Sequence, residues 1–232
     1  MLFQHWKPDG DLDTLLATHY QQFSRIEDLK VRAQVLVRVE GRDERATALL
    51  LYAKPNMFRF DVRGPLFSHI LTAVMHDDSL TVVTREGSWK GDPNSSLRRI
   101  IGIDLGGYDL AHLLLGVMQP AGIDSNRTVS YPRADRAVVP ILHAEAVRSV
   151  TVDLYHGFIV AERFSSSRAT WRREMTAHRR LGDWVLPGKM SILQDDNRLL
   201  LEYGEVHLNR GIPAEEFLRG IPEAATRLQE TD

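Results

Sequence analysis

The sequence contains no cysteine. Disulfides, thiol nucleophiles and cysteine-based metal sites are therefore excluded, while the compartment stays open, because exported proteins also fold without disulfides. No apolar run approaches the roughly 20 residues that a membrane-spanning helix needs. No basic stretch followed by an apolar one opens the sequence, so it reads either as a cytosolic chain or as a mature one whose leader and anchor were removed. Charge of one sign is also lacking: 29 basic and 31 acidic residues leave a net charge of -2, which gives no global pull toward nucleic acid. The 232 residues suit one domain of moderate size or at most two small ones, and with no internal repeat, low-complexity tract or splitting linker a single domain over 1–232 is expected.

Catalytic signatures are missing as well. There is no Gly-x-Ser-x-Gly elbow, phosphate loop, Gly-x-Gly-x-x-Gly turn or His-Glu-x-x-His helix. Asp9, Asp11 and Asp13 imitate the start of a calcium loop, but Thr14 and Tyr20 stand where its glycine and terminal glutamate belong. These aspartates read as a helix-start cluster. The nine histidines show no ligand spacing, and adjacent acidic pairs such as Asp195-Asp196 and Glu215-Glu216 fall in turns or on solvated faces. The expectation is a protein that is not an enzyme, with no cofactor and no metal.

Apolar residues make up 43% of the chain and charged ones 26%, enough for a substantial core. From Leu12 to Ile26, Leu12, Leu15, Leu16, His19, Tyr20 and Phe23 recur at helical spacing. The period then drops to two. Val31, Ala33, Val35, Val37 and Val39 alternate with polar neighbours, and Gly41-Arg42-Asp43 marks a hairpin turn. Further strands follow over 45–53, 58–63, 68–75 and 80–84, with connections too short for crossover helices, so an antiparallel meander is expected. Segments 93–101 and 108–117 read as helices, the second with Leu110, Leu113, Leu114 and Val117 on its apolar face. Segment 119–140 is turn-rich and reads as a loop with at most a short strand. Period two returns after Ala144 and runs to Leu208, and a short helix at 214–219 lies between Pro213 and Pro222.

The expected class is α+β and mostly β: an open antiparallel sheet of about ten or eleven strands, an incomplete barrel with an N-terminal helix and middle helices as lids. A sheet that long must curl, because each strand pair twists. The apolar supply on its strands fits either an ordinary packed core or a hollow. Gly64-Pro65-Leu66-Phe67 sets two large apolar residues beside a turn. Either they are buried at the strand start or they form an exposed, membrane-touching tip.

Several segments together resemble a known family. Phe58-Arg59-Phe60-Asp61-Val62-Arg63-Gly64-Pro65-Leu66, followed by Ile70-Leu71, is similar to the third and fourth strands of LolB-like proteins. Ile100-Ile101-Gly102-Ile103 and Leu113-Leu114-Leu115-Gly116 resemble that family's middle helices. The segment from Leu201 to Asn209, then Ile212-Pro213 and Phe217 before Pro222, is similar to the close of LolA-type lipoprotein-sorting proteins. The resemblance covers nearly the whole chain, with the LolB-like proteins the nearer match. It implies an incomplete barrel with an apolar cavity for lipid or lipoprotein acyl chains, serving lipoprotein transport or insertion at the outer membrane. It also implies a periplasmic, outer-membrane-associated location, although LolB members are anchored through a lipidated cysteine and this sequence has none. A periplasmic carrier protein and the outer-membrane surface are the other implied partners, and nucleic acid is not one.

The cavity residues expected from strand parity are Val35, Val37, Phe58, Phe60, Val82, Val152, Trp171, Met175 and Trp184. Leu66 and Phe67 fall where LolB members carry a membrane-contacting loop, and Leu113 and Leu114 belong to a lid helix. The alternative reading is an envelope lipoprotein that uses the same scaffold as a sensor or protein-interaction module.

Overall fold

A computed structural model of the chain describes residues 8–39, 41–76, 79–106, 108–118, 128–141, 146–222 and 226–227. In chain order the elements are helix α1 (Pro8–Ser24), then strands β1 (Asp28–Val39), β2 (Arg42–Ala53), β3 (Met57–Arg63), β4 (His69–His76), β5 (Ser79–Thr84) and β6 (Ser88–Gly91). Helices α2 (Pro93–Ile101) and α3 (Leu110–Leu115) follow, then β7 (Ser130–Arg133), β8 (Arg136–Ile141), β9 (Ala146–Asp153), β10 (Phe158–Ser166) and β11 (Thr170–Thr176). The chain closes with β12 (Arg179–Leu181), β13 (Trp184–Leu186), β14 (Lys189–Gln194), β15 (Asn197–Leu208), helix α4 (Ala214–Leu218) and β16 (Thr226–Arg227).

The chain divides into two compact units, each built from separated segments. The first holds Met1–Arg25 and Leu105–Asp195, and the second holds Ile26–Asp104 and Asp196–Asp232. Strand order in the second unit is β16-β6-β5-β4-β3-β2-β1-β15, antiparallel except for the β16–β6 pair. In the first it is β14-β11-β10-β9-β8-β7, with β12 and β13 as a separate hairpin. The order is linear, and no pairing among the described residues closes it. The protein is thus an α+β fold dominated by an open antiparallel sheet, with an N-terminal helix and internal helices. The sequence expectation covers β1–β5, β9–β11 and β15, and takes β13 and β14 as one strand; β6, the β7–β8 hairpin, β12 and β16 lie beyond it.

In the second unit, alternation builds the sheet residue by residue. Val31, Ala33 and Val35 are buried while Arg32 and Gln34 are exposed. The register lines up Leu29, Tyr52, Phe58, Met75 and Leu80 as one apolar row across β1–β5, and Val31, Leu50, Phe60, Ala73 and Val82 as the next. Gly41 turns the β1–β2 hairpin at φ 77°, and Arg38 donates to both carboxylate oxygens of Asp43 across it at 2.6 and 2.7 Å. Helix α2 packs against β1, β5 and β6. Three strands lie between β1 and β5, so in a flat sheet they would stand roughly 19 Å apart at about 4.8 Å per strand. Helix α2, nine residues and about 14 Å long, meets both, so the sheet bends around it. The Arg99 guanidinium lies 4.7 Å from the ring centre of Trp89, which pairs with Val82, so α2 sits on the apolar face.

The opposite face of the same sheet is covered by α4. Phe217 is fully buried there, and Arg59 donates to the carbonyls of Phe217 and Arg219 at 2.8 and 2.7 Å. Arg59 also pairs with Asp61 at 2.8 Å, and the Thr72 hydroxyl donates to Asp61 at 2.7 Å, so the buried charges are partnered.

In the first unit, helix α3 is shorter than the expected 108–117. Asp109 caps it by accepting from the His112 backbone at 2.7 Å, and Gly116 ends it in the left-handed region at φ 69°. A Cβ on Gly116 would stand 2.4 Å from Pro187 Cγ, so both backbone and packing demand glycine. The segment expected as a loop after residue 119 contains the β7–β8 hairpin, whose Ala137, Val139 and Ile141 point into the core. Residues 119–127 lie outside the described residues.

Candidate functional site

The strand phases that supplied the expected cavity residues become two apolar faces, one in each unit. In the second unit Val35, Phe58, Phe60 and Val82 are buried and Val37 is half-buried. All five lie on the α2 face with Leu50, Tyr52, Ala73 and Leu201. The rows of this face from Leu29 to Leu80 and from Val31 to Val82 hold no charged residue.

In the first unit Val152, Trp171 and Met175 are buried and Trp184 is half-buried, its Nε1 donating to the Gln22 carbonyl of α1 at 3.2 Å. Leu113 and Leu114 are buried on α3. This face carries a feature absent from the sequence expectation. Arg148, Glu162 and Arg173 occupy inward positions of β9, β10 and β11 and are fully buried. Arg148 Nε and an Arg173 amino group each donate to Glu162 at 2.5 Å, and the Tyr108 hydroxyl donates to the same carboxylate at 3.1 Å. Burial works against the Arg148 charge, but Tyr108 and Glu162 more than offset it and raise its pKa.

Arg173 also donates to the carbonyls of His112, Leu113 and Val117 at 2.8, 2.9 and 2.9 Å, satisfying the C-terminal end of α3. Tyr108 meets Trp171 edge-on at 5.0 Å, and Phe164 stacks on Trp171 at 5.1 Å. Helix α3 is therefore fastened to its sheet by charge-assisted bonds as well as by leucines. Helix α1 is held by Leu12, Leu15, Leu16 and Phe23, with His19 Nε2 donating to the Gly157 carbonyl at 3.0 Å.

The tip after β3 takes the exposed alternative. A 3-10 turn over Pro65–Phe67 is closed by Gly64 N–H to Ser68 O at 2.8 Å, and Leu66 adopts φ 56° with its side chain 97% exposed. A bulky residue held left-handed with its apolar side chain in solvent is costly twice over. The side chain of Phe67 lies outside the described residues.

Two hollows lie on the sheet surfaces away from these apolar faces. One, of about 600 Å³ in the second unit, is bounded by Arg32, Gln34, Thr47, Asp61, Arg63 and Glu202, with balanced charge. The other, of about 710 Å³ in the first unit, runs across β7–β11 and has Met175 as the one expected cavity residue on its border. No group of three or more metal-binding side chains gathers among the described residues.

No family model and no curated sequence matches the chain. Solved structures do. A DUF1329 family protein from Desulfovibrio piger superposes with a TM-score of 0.62 at 7% identity, covering 90% of this chain and 98% of that one. A putative outer membrane lipoprotein-sorting protein domain from Vibrio parahaemolyticus gives 0.59 at 9%, covering 89% and 97%. A LolA superfamily protein from Nitrosomonas europaea gives 0.57 at 11%, covering 89% and 96%. The chain shares their fold. The open sheet with covering helices implied by the sequence resemblance is thus shared with these structures, and at these identities the likeness extends to fold alone.

Proposed function

We propose that the protein is a non-catalytic carrier of lipid or lipoprotein acyl chains in the bacterial envelope, acting in lipoprotein transport or insertion at the outer membrane, with the apolar face of the second unit as its acyl site. The observation that carries this reading is the uncharged wall formed by Phe58, Phe60, Val82 and their neighbours inside a sheet bent around α2. Each methylene moved from water onto such a wall gains about 0.8 kcal/mol, so a long chain gains on the order of 10 kcal/mol. A bilayer offers a similar gain per methylene. Cargo is therefore exchanged with little net change, and the covering helix sets the balance by occupying the wall when cargo is absent.

The same arithmetic disfavours the first unit's face. An acyl chain laid there would have to displace helix α3 and unpair Arg148, Glu162 and Arg173, at several kcal/mol per uncompensated charge. Val152, Trp171, Met175 and Trp184 then serve as the packing around a fixed cover, and Leu113 and Leu114 hold that cover in place. Leu66 serves as the contact with the outer-membrane surface, together with Phe67. A LolB-like receiving role is favoured by this tip, and a periplasmic carrier is the partner that such a role requires.

The test is organic extraction of the purified protein followed by lipid mass spectrometry, with uptake of a fluorescent fatty acid measured alongside. Stoichiometric lipid or saturable uptake is expected, and Val82→Phe, which fills the wall without adding charge, should lower uptake at unchanged fold. An empty protein whose uptake ignores Val82→Phe would favour the second reading, an envelope interaction module with a filled interior. That reading is supported by the near-complete burial of Phe58, Leu80 and Val82.

A further inference from the structure

The larger hollow lies on the face of the first unit's sheet that points away from α1 and α3. Its floor follows from the register. Val138, Thr151, Ala161 and Glu174 form one row across β8–β11, and the first three are small enough to leave a trough between larger neighbours. On one side stands the row of Ser149, Arg163 and Arg172, and on the other the row of Arg136, Asp153 and Phe158.

The arginines are arranged against the grain of a self-sufficient sheet. Arg163 is directly opposite Arg172, and Arg133 is directly opposite Arg136. Like charges facing each other across a strand pair are destabilising. In each pair one member has a carboxylate: Arg172 bonds Glu174 at 2.5 Å and Arg136 bonds Asp153 at 2.6 Å. Neither Arg163 nor Arg133 has an ion-pair partner among the described residues. The trough therefore carries two positive charges in excess, in a chain whose net charge is -2.

Around it the surface is apolar where a protein surface is usually polar. Val147, on the same face as Ser149, is 77% exposed; Tyr155, at the β9–β10 turn, is 64% exposed; and Tyr131, on β7, is 44% exposed. These are three of the six large apolar side chains that are exposed among the described residues. Unpaired arginines ringed by exposed tyrosine and valine match the interface of an anionic bilayer, where guanidinium meets phosphate and the rings settle at headgroup depth. An acidic peptide is the poorer fit. The free edge of this sheet is β7, where Pro132 lacks the N–H that a docking strand would need.

We propose that the outer face of β7–β11 is a membrane-docking surface that binds anionic phospholipid headgroups, with Arg163 and Arg133 each seating a headgroup phosphate on its own side of the trough. The contact does not depend on the acyl-chain reading, since its residues point from the other side of the sheet.

Vesicle co-sedimentation of the full chain tests it. Vesicles of phosphatidylglycerol mixed with phosphatidylcholine should bind the protein, pure phosphatidylcholine should not, and binding should weaken as salt is raised. Arg133→Glu with Arg163→Glu should weaken binding at least tenfold, while Arg163→Lys should retain most of it. The double variant should unfold at the same or a higher temperature, because both arginine confrontations are relieved. Leu66→Asp separates the two membrane contacts: it should leave the salt-sensitive part of binding intact. Equal binding to both vesicle types, or anionic binding indifferent to the double variant, would overturn the proposal, as would binding of an acidic peptide but not of vesicles. Fatty-acid uptake unchanged in the double variant would show that the acyl site stands apart from either result.

Discussion

The two apolar faces of this protein arise from the same alternating pattern and are finished differently. In the second unit the rows through Phe58 and Phe60 are apolar from strand to strand, and the helix on them, α2, brings Ser96, Arg98 and Arg99 along with its few apolar residues. In the first unit the corresponding rows are interrupted by Arg148, Glu162 and Arg173, and the helix on them is held through its own terminal carbonyls. A buried ion triad adds little net stability over well-packed apolar residues, because desolvation consumes most of the attraction. What it adds is geometry: the Arg173 amino groups reach the carbonyls of His112, Leu113 and Val117 only where α3 now stands. One scaffold thus carries one cover fastened by charge and another laid on uncharged rows.

The sharpest way to break that contrast is to remove its centre. Glu162→Ala leaves two buried guanidiniums without their carboxylate and should cost about 3–5 kcal/mol, read as a lowered urea midpoint. Phe60→Ala should cost a similar amount through the cavity it leaves. Added fatty acid should restore stability to the Phe60 variant, since a ligand that binds only the folded state stabilises it. It should do nothing for the Glu162 variant. Equal rescue of both would erase the distinction between the faces.

Next in size is Gly116→Ala, at the end of α3. It forces a left-handed alanine against Pro187 and should cost about 1–3 kcal/mol, with hydrogen exchange rising first in Leu110–Leu115. Smaller still is the effect of pH, which the first unit should dominate. Burial lowers the pKa of His19 and of His178 below the ordinary 6.5, against hydrogen bonds to the Gly157 and Ile159 carbonyls that raise them. The folded state then binds fewer protons than the unfolded one, so stability is full above 6.5 and declines as pH falls below it. Burial pushes the Asp153 carboxyl up, but Arg136 and His156 pull it down to about 2, so its contribution persists until pH falls from 3.8 through about 2. Denaturant midpoints measured from neutral to acid pH should show the first decline, and His19→Gln with His178→Gln should flatten it. The smallest effect on stability belongs to Leu66→Gly, which relieves a left-handed leucine and should leave thermal unfolding unchanged or about 1 kcal/mol improved, while lowering transfer of lipid to vesicles.

Much of this architecture was legible in the sequence, and the gaps have physical causes. The alternation of Val31 to Val39 marked β1, and the phases of Phe58, Phe60 and Val82 placed them on one face before any register was known. The helix expected over 108–117 overruns the end of α3, which Gly116 sets by its left-handed backbone. The β7–β8 hairpin was missed because Pro132 and Pro140 disguise two edge-side strands as turns, although Ala137, Val139 and Ile141 alternate as strictly as any. The buried triad has a signal in the sequence: Arg148, Glu162 and Arg173 stand in the inward phase of three strands, where a charge is tolerated only if another meets it. Tyr108, which completes the network from a coil, had none. The confrontation of Arg133 with Arg136 and of Arg163 with Arg172 depends on which strands become neighbours and on their register, so only the folded sheet reveals it.

The most direct measurement is photolabelling. The purified protein is loaded with a diazirine-bearing fatty acid, irradiated, and its labelled peptides are identified by mass spectrometry. Label on residues 57–63 and 79–84, competed away by unlabelled fatty acid, is the predicted result. Label confined to residues 146–176, or none that competitor removes, would contradict the assignment of the acyl site to the uncharged wall.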